Sequence, residues 1–364
     1  MHGGRIQRMR VAGSAPAEAR VSLPSGLLTP GLVDLQINGA YGVDLIQATP
    51  GEWRDLARAL PGTGVTAFQP TYITAPLDTL AGGLDRAARA RELLQHDPVA
   101  RILGVHTEGP FISPAQPGVH PVGDIRDPRP ELLDTLLGAA RTSGALTMVT
   151  LAPERPGGLE AVRMLARQGV RVAIGHTDAT AAQVRAATDA GATMVTHLFN
   201  AQRGLGHREP GVPGQALVDG RLRLGLIADL HHVAREVCIL AFLAAPGRVA
   251  LVTDAVSATG MAPGRYDLGG ARVDVSAEGA PRSRDGTLAG SVLSLDRAVR
   301  NLVGLGLDRA AVLEAACRIP AEVIGRADLG RLTEGARADL VWWSDDLRPL
   351  RTWVGGVEAF AAEP

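Results

Sequence analysis

The 364-residue chain has no lysine; all 37 of its basic residues are arginine. That absence excludes a Schiff-base lysine, a Walker-A lysine and a carboxylated lysine bridging two metals. Cysteine is nearly missing as well. Cys238 and Cys317 both sit in apolar helical patterns and read as small buried hydrophobes, not as a disulfide or a nucleophile. No window holds about 18 uninterrupted apolar residues, and Met1 to Arg10 lacks a signal-peptide core, so no membrane association and a cytoplasmic location are the expectation. The formal net charge is −1, which leaves no broad field to recruit nucleic acid or a membrane surface. A charged ligand would have to be recognised by local groups. No G-x-G-x-x-G follows the first strand-like run, which argues against a dinucleotide fold.

Hydrophobic residues make up 46% of the chain and charged residues 21%, the composition of a globular protein with a large core. Apolar strand-like runs recur at 32–37, 65–71, 101–105, 146–151, 170–175, 193–199, 222–228 and 249–253. Between them lie helical patterns such as 77–94, 131–141, 159–167, 181–190 and 233–244; two more, 291–303 and 309–317, follow the last run. Near-continuous apolar strands alternating with helices imply a parallel sheet covered on both faces. Eight such units are what a (β/α)₈ barrel requires. The short β-rich stretches in residues 1–29, at Arg5-Ile6, Met9 to Val11 and Arg20 to Leu23, are too little to fold alone. They find a partner in the C-terminal runs around Val341-Trp342-Trp343 and Trp353-Val354. The expected organisation is therefore an α/β chain with two parts. Residues 30–329 form the barrel, with a β-hairpin insertion near 263–287; residues 1–29 and 330–364 together form a small β-sandwich.

Polar residues concentrate where the apolar runs end. His106 and Glu108 close the third run and His176 and Asp178 the fifth. His197 and Asn200 close the sixth, Asp229, His231 and His232 the seventh, and Asp254 the eighth. In a barrel all these ends open into one mouth, where catalysis sits. Glu, His and His from different strands match a catalytic zinc site that keeps a position open for water. Such an ion lowers the pKa of a bound water from 15.7 to about 7. Asp254 could then move a proton between water and leaving group; a helix N-cap is the other role for an aspartate there, but a place at the barrel mouth beside a metal set favours the catalytic one. Cap or supporting roles suit Asp178 and Asp229 better.

The ordered motifs Pro30-Gly31-Leu32-Val33-Asp34, His106-Thr107-Glu108-Gly109-Pro110-Phe111, Gly175-His176-Thr177-Asp178, Thr196-His197-Leu198-Phe199-Asn200-Ala201, Thr253-Asp254-Ala255 and Leu288-Ala289-Gly290-Ser291 span nearly the whole chain. In this order the chain resembles the N-acetylglucosamine-6-phosphate deacetylase family of the amidohydrolase superfamily. The resemblance implies an amidohydrolase barrel with a β-sandwich built from both chain ends, and release of acetate from a phosphorylated amino sugar. Position by position, it implies Glu108, His176 and His197 as metal ligands and Asp254 as the acid/base. It implies His120 beside the amide, and Asn200 and Ala201 along the sugar. Arg208 would bind the phosphate with help from His232, and Leu288, Ala289 and Gly290 would close over the substrate. It also implies a homodimer in which Arg208 and His232 can act across the interface. A planar guanidinium suits a phosphate dianion; otherwise Arg208 would form a surface ion pair with Glu209, worth little.

Many amidohydrolases carry His-x-His at the end of strand one and bind a second metal there. This chain has Gln36-Ile37-Asn38, and amides are poor zinc ligands beside imidazole. One divalent ion per subunit is expected, zinc first, with Fe²⁺, Co²⁺ or Mn²⁺ as alternatives. Other readings are a deacetylase of the galactosamine epimer, a ring-opening or deaminating amidohydrolase, and a non-catalytic barrel that binds a sugar phosphate. His106, two residues before Glu108 on the same strand, is expected to sit deeper than the ligands.

Overall fold

A computed structural model describes residues 3–9, 23, 25–276 and 279–363. Its centre is a set of eight parallel strands: β1 Leu32–Ile37, β2 Val65–Ile73, β3 Val105–Glu108, β4 Leu146–Leu151, β5 Arg171–Ile174, β6 Met194–Val195, β7 Arg223–Ile227 and β8 Val249–Val252. Each pairs with the next. The ring closes where Ile37 and Ala255 form a parallel bridge and the Asp254 amide donates to the Gln36 carbonyl at 2.9 Å. This is a (β/α)₈ barrel.

The sequence pattern explains the layering. Every residue of β1, β2 and β8 is buried, because the strands face packed side chains inside and helices outside. The helix Leu77–Leu94 buries Leu80, Leu84 and Ala87 on one stripe. The helix Ala181–Ala190 begins at a capping box in which Thr180 and Gln183 satisfy each other's backbone amides. That cap ends the loop carrying His176. At the β1–β8 seam the buried Asp34 carboxylate accepts from Thr253 Oγ1 at 2.7 Å and from the amides of Gln36 and Thr253 at 3.1 and 3.3 Å. Burial outweighs these bonds and pushes its carboxyl up to about 7.

Two expected strands differ. The third is interrupted: Arg101–Ile102 pairs with β2, Gly104 turns at a φ of 115°, and β3 then runs on to Glu108. The sixth shrinks from 193–199 to Met194–Val195 because His197 and Phe199 adopt left-handed backbone, at φ values of 26° and 79°. The insertion holds the hairpin Gly264–Leu268 and Ala271–Val275 plus a third strand, Pro281–Arg282.

The chain ends come together as expected. Leu27–Pro30 pairs with Leu340–Trp343, which pairs with Pro349–Val354 and then Val357–Ala361. The fully buried Trp343 donates its indole N–H to Thr29 Oγ1 at 2.7 Å. A bridge between Arg5 and Arg337 and a small cluster of Ile6, Ala336 and Ala338 add a further layer. The strands expected at Met9 to Val11 and Arg20 to Leu23 fall largely outside the described residues. Among those described, no helix is long and apolar enough to cross a membrane.

Candidate metal centre and active site

The C-terminal strand ends open into a cavity of about 330 Å³. Glu108, the last residue of β3, lies at its floor. Its Oε1 is 2.8 Å from His197 Nε2 and 3.3 Å from His176 Nε2, and the two Nε2 atoms are 3.1 Å apart. The His176 Nδ1–H donates to the Gln116 carbonyl at 3.0 Å, which leaves its Nε2 lone pair facing the cavity. His197 Nδ1 is buried with no hydrogen-bond partner among the described residues. Burial disfavours charge here, yet the Glu108 carboxylate raises His197 to about 9. Against the same burial, His197 and His176 hold Glu108 well below the usual carboxylate range. Three converging lone-pair donors that draw a positive charge form a set able to hold a divalent metal ion.

Backbone conformation aims these groups. His176, His197 and Asp254 all have left-handed backbone, with φ values of 46°, 26° and 51°. Such conformations cost on the order of 1–3 kcal/mol for non-glycine residues and collect at functional sites. Asp254 lies two residues beyond the end of β8. Its Oδ1 accepts from Asn38 Nδ2 at 2.7 Å and from Gln36 Nε2 at 3.1 Å, and the same Gln36 Nε2 is 3.2 Å from Glu108 Oε1. One amide thus joins the two carboxylates. Burial, then the charge of Glu108, raises the Asp254 carboxyl. On the opposite wall, His120 Nδ1 accepts the Thr74 backbone N–H at 3.3 Å and lies 2.8 Å from Thr74 Oγ1. Its proton is therefore on Nε2, which lies 3.9 Å from Glu108 Oε2. Burial and the neighbouring His176 keep this imidazole neutral.

Residues 27–359 match the family model described as "Amidohydrolase family". The chain belongs to the amidohydrolase family. Among its relatives is an N-acetylgalactosamine-6-phosphate deacetylase from Escherichia coli O157:H7, 40% identical over 91% of this chain and 87% of that protein. An N-acetylglucosamine-6-phosphate deacetylase from Vibrio furnissii is 37% identical over 92% of this chain and 83% of that one. Among solved structures, a mutant N-acetyl-D-glucosamine-6-phosphate deacetylase from Mycobacterium smegmatis, in complex with N-acetyl-D-glucosamine-6-phosphate, superposes with a TM-score of 0.91. It is 35% identical and covers 99% of this chain and 93% of its own.

In this amidohydrolase the other residues singled out from sequence fall into three groups. Asn200, Ala201, His232, Leu288 and Gly290 line the cavity. His232 Nδ1 donates to Asp229 Oδ2 at 2.7 Å, which turns its Nε2 to the cavity, whereas His231 is exposed. Gly290 has a φ of 62°, and a Cβ there would come within 2.8 Å of the Asp254 carbonyl, so only glycine lets this loop approach. Ala289 does not line the cavity. It turns into an apolar cluster with Ile73, Val256 and Leu268, beneath the insertion. Arg208 is exposed on the loop after β6, away from the cavity lining, and makes no ion pair among the described residues. Glu209 does not pair with it; its Oε1 accepts the amides of Ala181 and Gly211 at 2.8 and 3.1 Å. Asp178 pairs with Arg203 at 2.5 Å.

His106 lies below the cavity, with Nε2 at 2.6 Å from Thr150 Oγ1 and Nδ1 at 3.3 Å from Thr71 Oγ1. Burial pushes its imidazole down to about 4, so it serves as a neutral link between strands. Sequence reasoning did not single out Thr74 or Gln116. Neither carries a residue-type signal, since a threonine hydroxyl or a backbone carbonyl gains meaning only from what it touches.

Proposed function

We propose that this amidohydrolase hydrolyses the acetamido group of N-acetyl-D-glucosamine 6-phosphate to D-glucosamine 6-phosphate and acetate. Glu108, His176 and His197 would hold one divalent ion, zinc first by its fit to a carboxylate and two imidazoles. When bound, that ion supplies Lewis-acid polarisation and makes water a nucleophile at neutral pH. Asp254 takes a proton from the attacking water and passes it to the departing amine; its raised pKa suits both tasks. The His120 Nε2–H donates to the acyl oxygen as negative charge develops there. Asn200, Ala201, Leu288 and Gly290 position the sugar, with Ala289 supporting that loop from behind.

The observation that carries this reading is the Gln36 amide shared by Glu108 and Asp254. It sets a proton-transfer group one amide away from the metal set. His232 would meet the substrate phosphate from within the subunit. The exposed Arg208 would supply its guanidinium across a homodimer, consistent with its position off the cavity wall. Acting on a soluble metabolite, the enzyme would work in the cytoplasm.

The galactosamine epimer is a second reading, favoured by the 40% identity to the Escherichia coli relative. Acetate release from both 6-phosphates by the zinc-loaded protein tests the two together. Turnover of the glucosamine compound with the higher kcat/KM supports the proposal, and a reversed ratio favours the epimer. Zero release from either, in protein with about one zinc per chain, refutes both. Mixing Arg208→Gln subunits with Asp254→Asn subunits should restore activity if Arg208 acts across the dimer; unrestored mixtures would refute that role.

A further inference from the structure

A cavity of about 180 Å³ lies on the opposite side of the barrel from the catalytic mouth. Arg101, at the N-terminal end of the strand leading to β3, forms part of its wall. Arg91 comes from the last turn of the helix Leu77–Leu94, and Arg326 and Arg337 come from the segment linking the barrel to the C-terminal strands. Gln95 completes the polar lining.

The guanidiniums exceed the carboxylates that could neutralise them. Asp328 is taken up by Arg326, at 2.8 and 3.0 Å to its two oxygens, with Arg5 a further 4.0 Å from it. Asp339 gives one oxygen to the Gly355 amide at 2.6 Å. Its other oxygen is divided between Arg101 Nε at 3.4 Å and Arg337 Nε at 3.7 Å. Both contacts are longer than an ordinary N–H···O bond, and Arg337 Nε is buried with no hydrogen-bond partner among the described residues. Among the described residues Arg91 donates only to the uncharged Gly144 carbonyl, at 3.0 Å. Four cations therefore face two anions. Arginine cannot relieve this by losing a proton. The crowding registers on Arg337, which burial and the charge of Arg101 depress from its ordinary value. The acidic Asp85 and Glu92 border a separate, shallower hollow that shares Arg91 and Gln95; with Arg89 and Arg91 set against those two acids, Arg101, Arg326 and Arg337 still outnumber Asp328 and Asp339.

We propose that this cavity is a second anion site, built for a small oxyanion with two negative charges: inorganic phosphate or the phosphate end of a compact monoester. Forked guanidiniums from three separate segments match the tetrahedral oxygens of such a group. The volume admits a phosphate and a few further atoms. Binding there would tie the barrel wall to the C-terminal segment, remote from the metal centre.

The test is phosphate binding by the metal-loaded full chain, measured by calorimetry and thermal shift, with sodium chloride at matched ionic strength as the blank. Arg208→Gln removes one of the two proposed active-site phosphate contacts, leaving His232, and serves as the background against which the cavity variants are compared. In that background, inorganic phosphate should still bind and raise Tm. Adding Arg337→Gln should weaken its apparent Kd at least tenfold. Arg91→Gln, whose contacts are confined to the rim, should weaken it severalfold and covers the case in which Arg337→Gln fails to fold. Glucose 6-phosphate binding tighter than inorganic phosphate identifies a monoester site, and the reverse order identifies a site for free phosphate. Absence of phosphate binding in the Arg208→Gln background, or an unchanged Kd after Arg91→Gln and Arg337→Gln, overturns the proposal.

Discussion

Asp34→Asn should make the protein more stable at alkaline pH and flatten its stability profile. The Asp34 carboxyl is fully buried at the barrel seam and is pushed from 3.8 up to about 7. Between about pH 4 and pH 7 the folded chain keeps a proton there that the unfolded chain has released. Stability from this group is thus fully present below pH 4 and falls by about 1.4 kcal/mol per pH unit until pH 7. The total is about 4 kcal/mol, of which about 3 lies between pH 5 and pH 8. The substituted amide oxygen would keep the bonds from the Gln36 and Thr253 amides. The new NH₂ would face Thr253 Oγ1, which can accept from it while donating to the Gln36 carbonyl, now 3.2 Å away. One N–H of the new amide is satisfied and the second is not, a penalty of about 1–3 kcal/mol that applies equally at every pH and is smaller than the gain at pH 8. For a chain of this length about 3 kcal/mol corresponds to about 4 °C in Tm. Melting both proteins at pH 5 and pH 8 gives a double difference in which the titrating groups not coupled to Asp34 cancel, Asp254 being the coupled one. The gap in favour of the variant should widen by about 4 °C at pH 8. An equal gap at the two pH values, or a variant that melts lower at pH 8, would refute the assignment of a buried, reluctantly charged carboxylate to the seam.

Two further outcomes concern the mouth. Asp254→Asn should keep its place, because the amide oxygen still accepts from Asn38 and Gln36, while kcat falls about 10²- to 10⁴-fold through loss of proton transfer; metal content that dropped with activity would instead make Asp254 a ligand. Thr74→Val removes the hydroxyl 2.8 Å from His120 Nδ1 and should lower kcat about five- to tenfold with little change in KM, with Thr74→Ser restoring it. A variant altered only in KM would detach Thr74 from the chemistry.

Much of the architecture was legible because local and global signals agree. The runs 32–37 and 146–151 and the helices 77–94 and 181–190 fold with the expected bounds. Apolar continuity, a capping threonine or a terminating turn marks each of them. β6 is shorter than its apolar pattern predicts because its chemistry overrides that pattern. After Val195 the chain must turn His197 toward Glu108, and the Leu198 amide bonds to the Gly225 carbonyl instead of extending a regular ladder. β3 misled for a related reason. Gly104 moves the strand from one set of partners to another, so that the Val105 amide meets the Ala145 carbonyl. Glu108, His176, His197 and Asp254 stood out as polar groups at the tips of apolar strands, where a lone charge is costly. Arg208 and Ala289 carried motif signals, but motif order cannot say which way a side chain faces. Asp34, Thr74 and Gln36 act through contacts across 219, 46 and 218 positions of sequence, and no local pattern encodes those.

Gln36 and Asn38 connect the proposed single ion to the proposed proton carrier. In a His-x-His amidohydrolase a second cation near these positions would hold the adjacent aspartate ionised. Here neutral amide N–H groups occupy that role, donating to Asp254 from two sides while Gln36 also reaches Glu108. Such donors orient a carboxylate and compensate part of its buried charge, but they do not abolish its affinity for a proton. Burial and the charge of Glu108 then raise Asp254 above its ordinary value. An aspartate that must take a proton from water and return it to an amine needs that affinity. The same pair of amides that makes strand one a poor second-metal site therefore leaves Asp254 able to be protonated, which is what the proposed proton carrier requires.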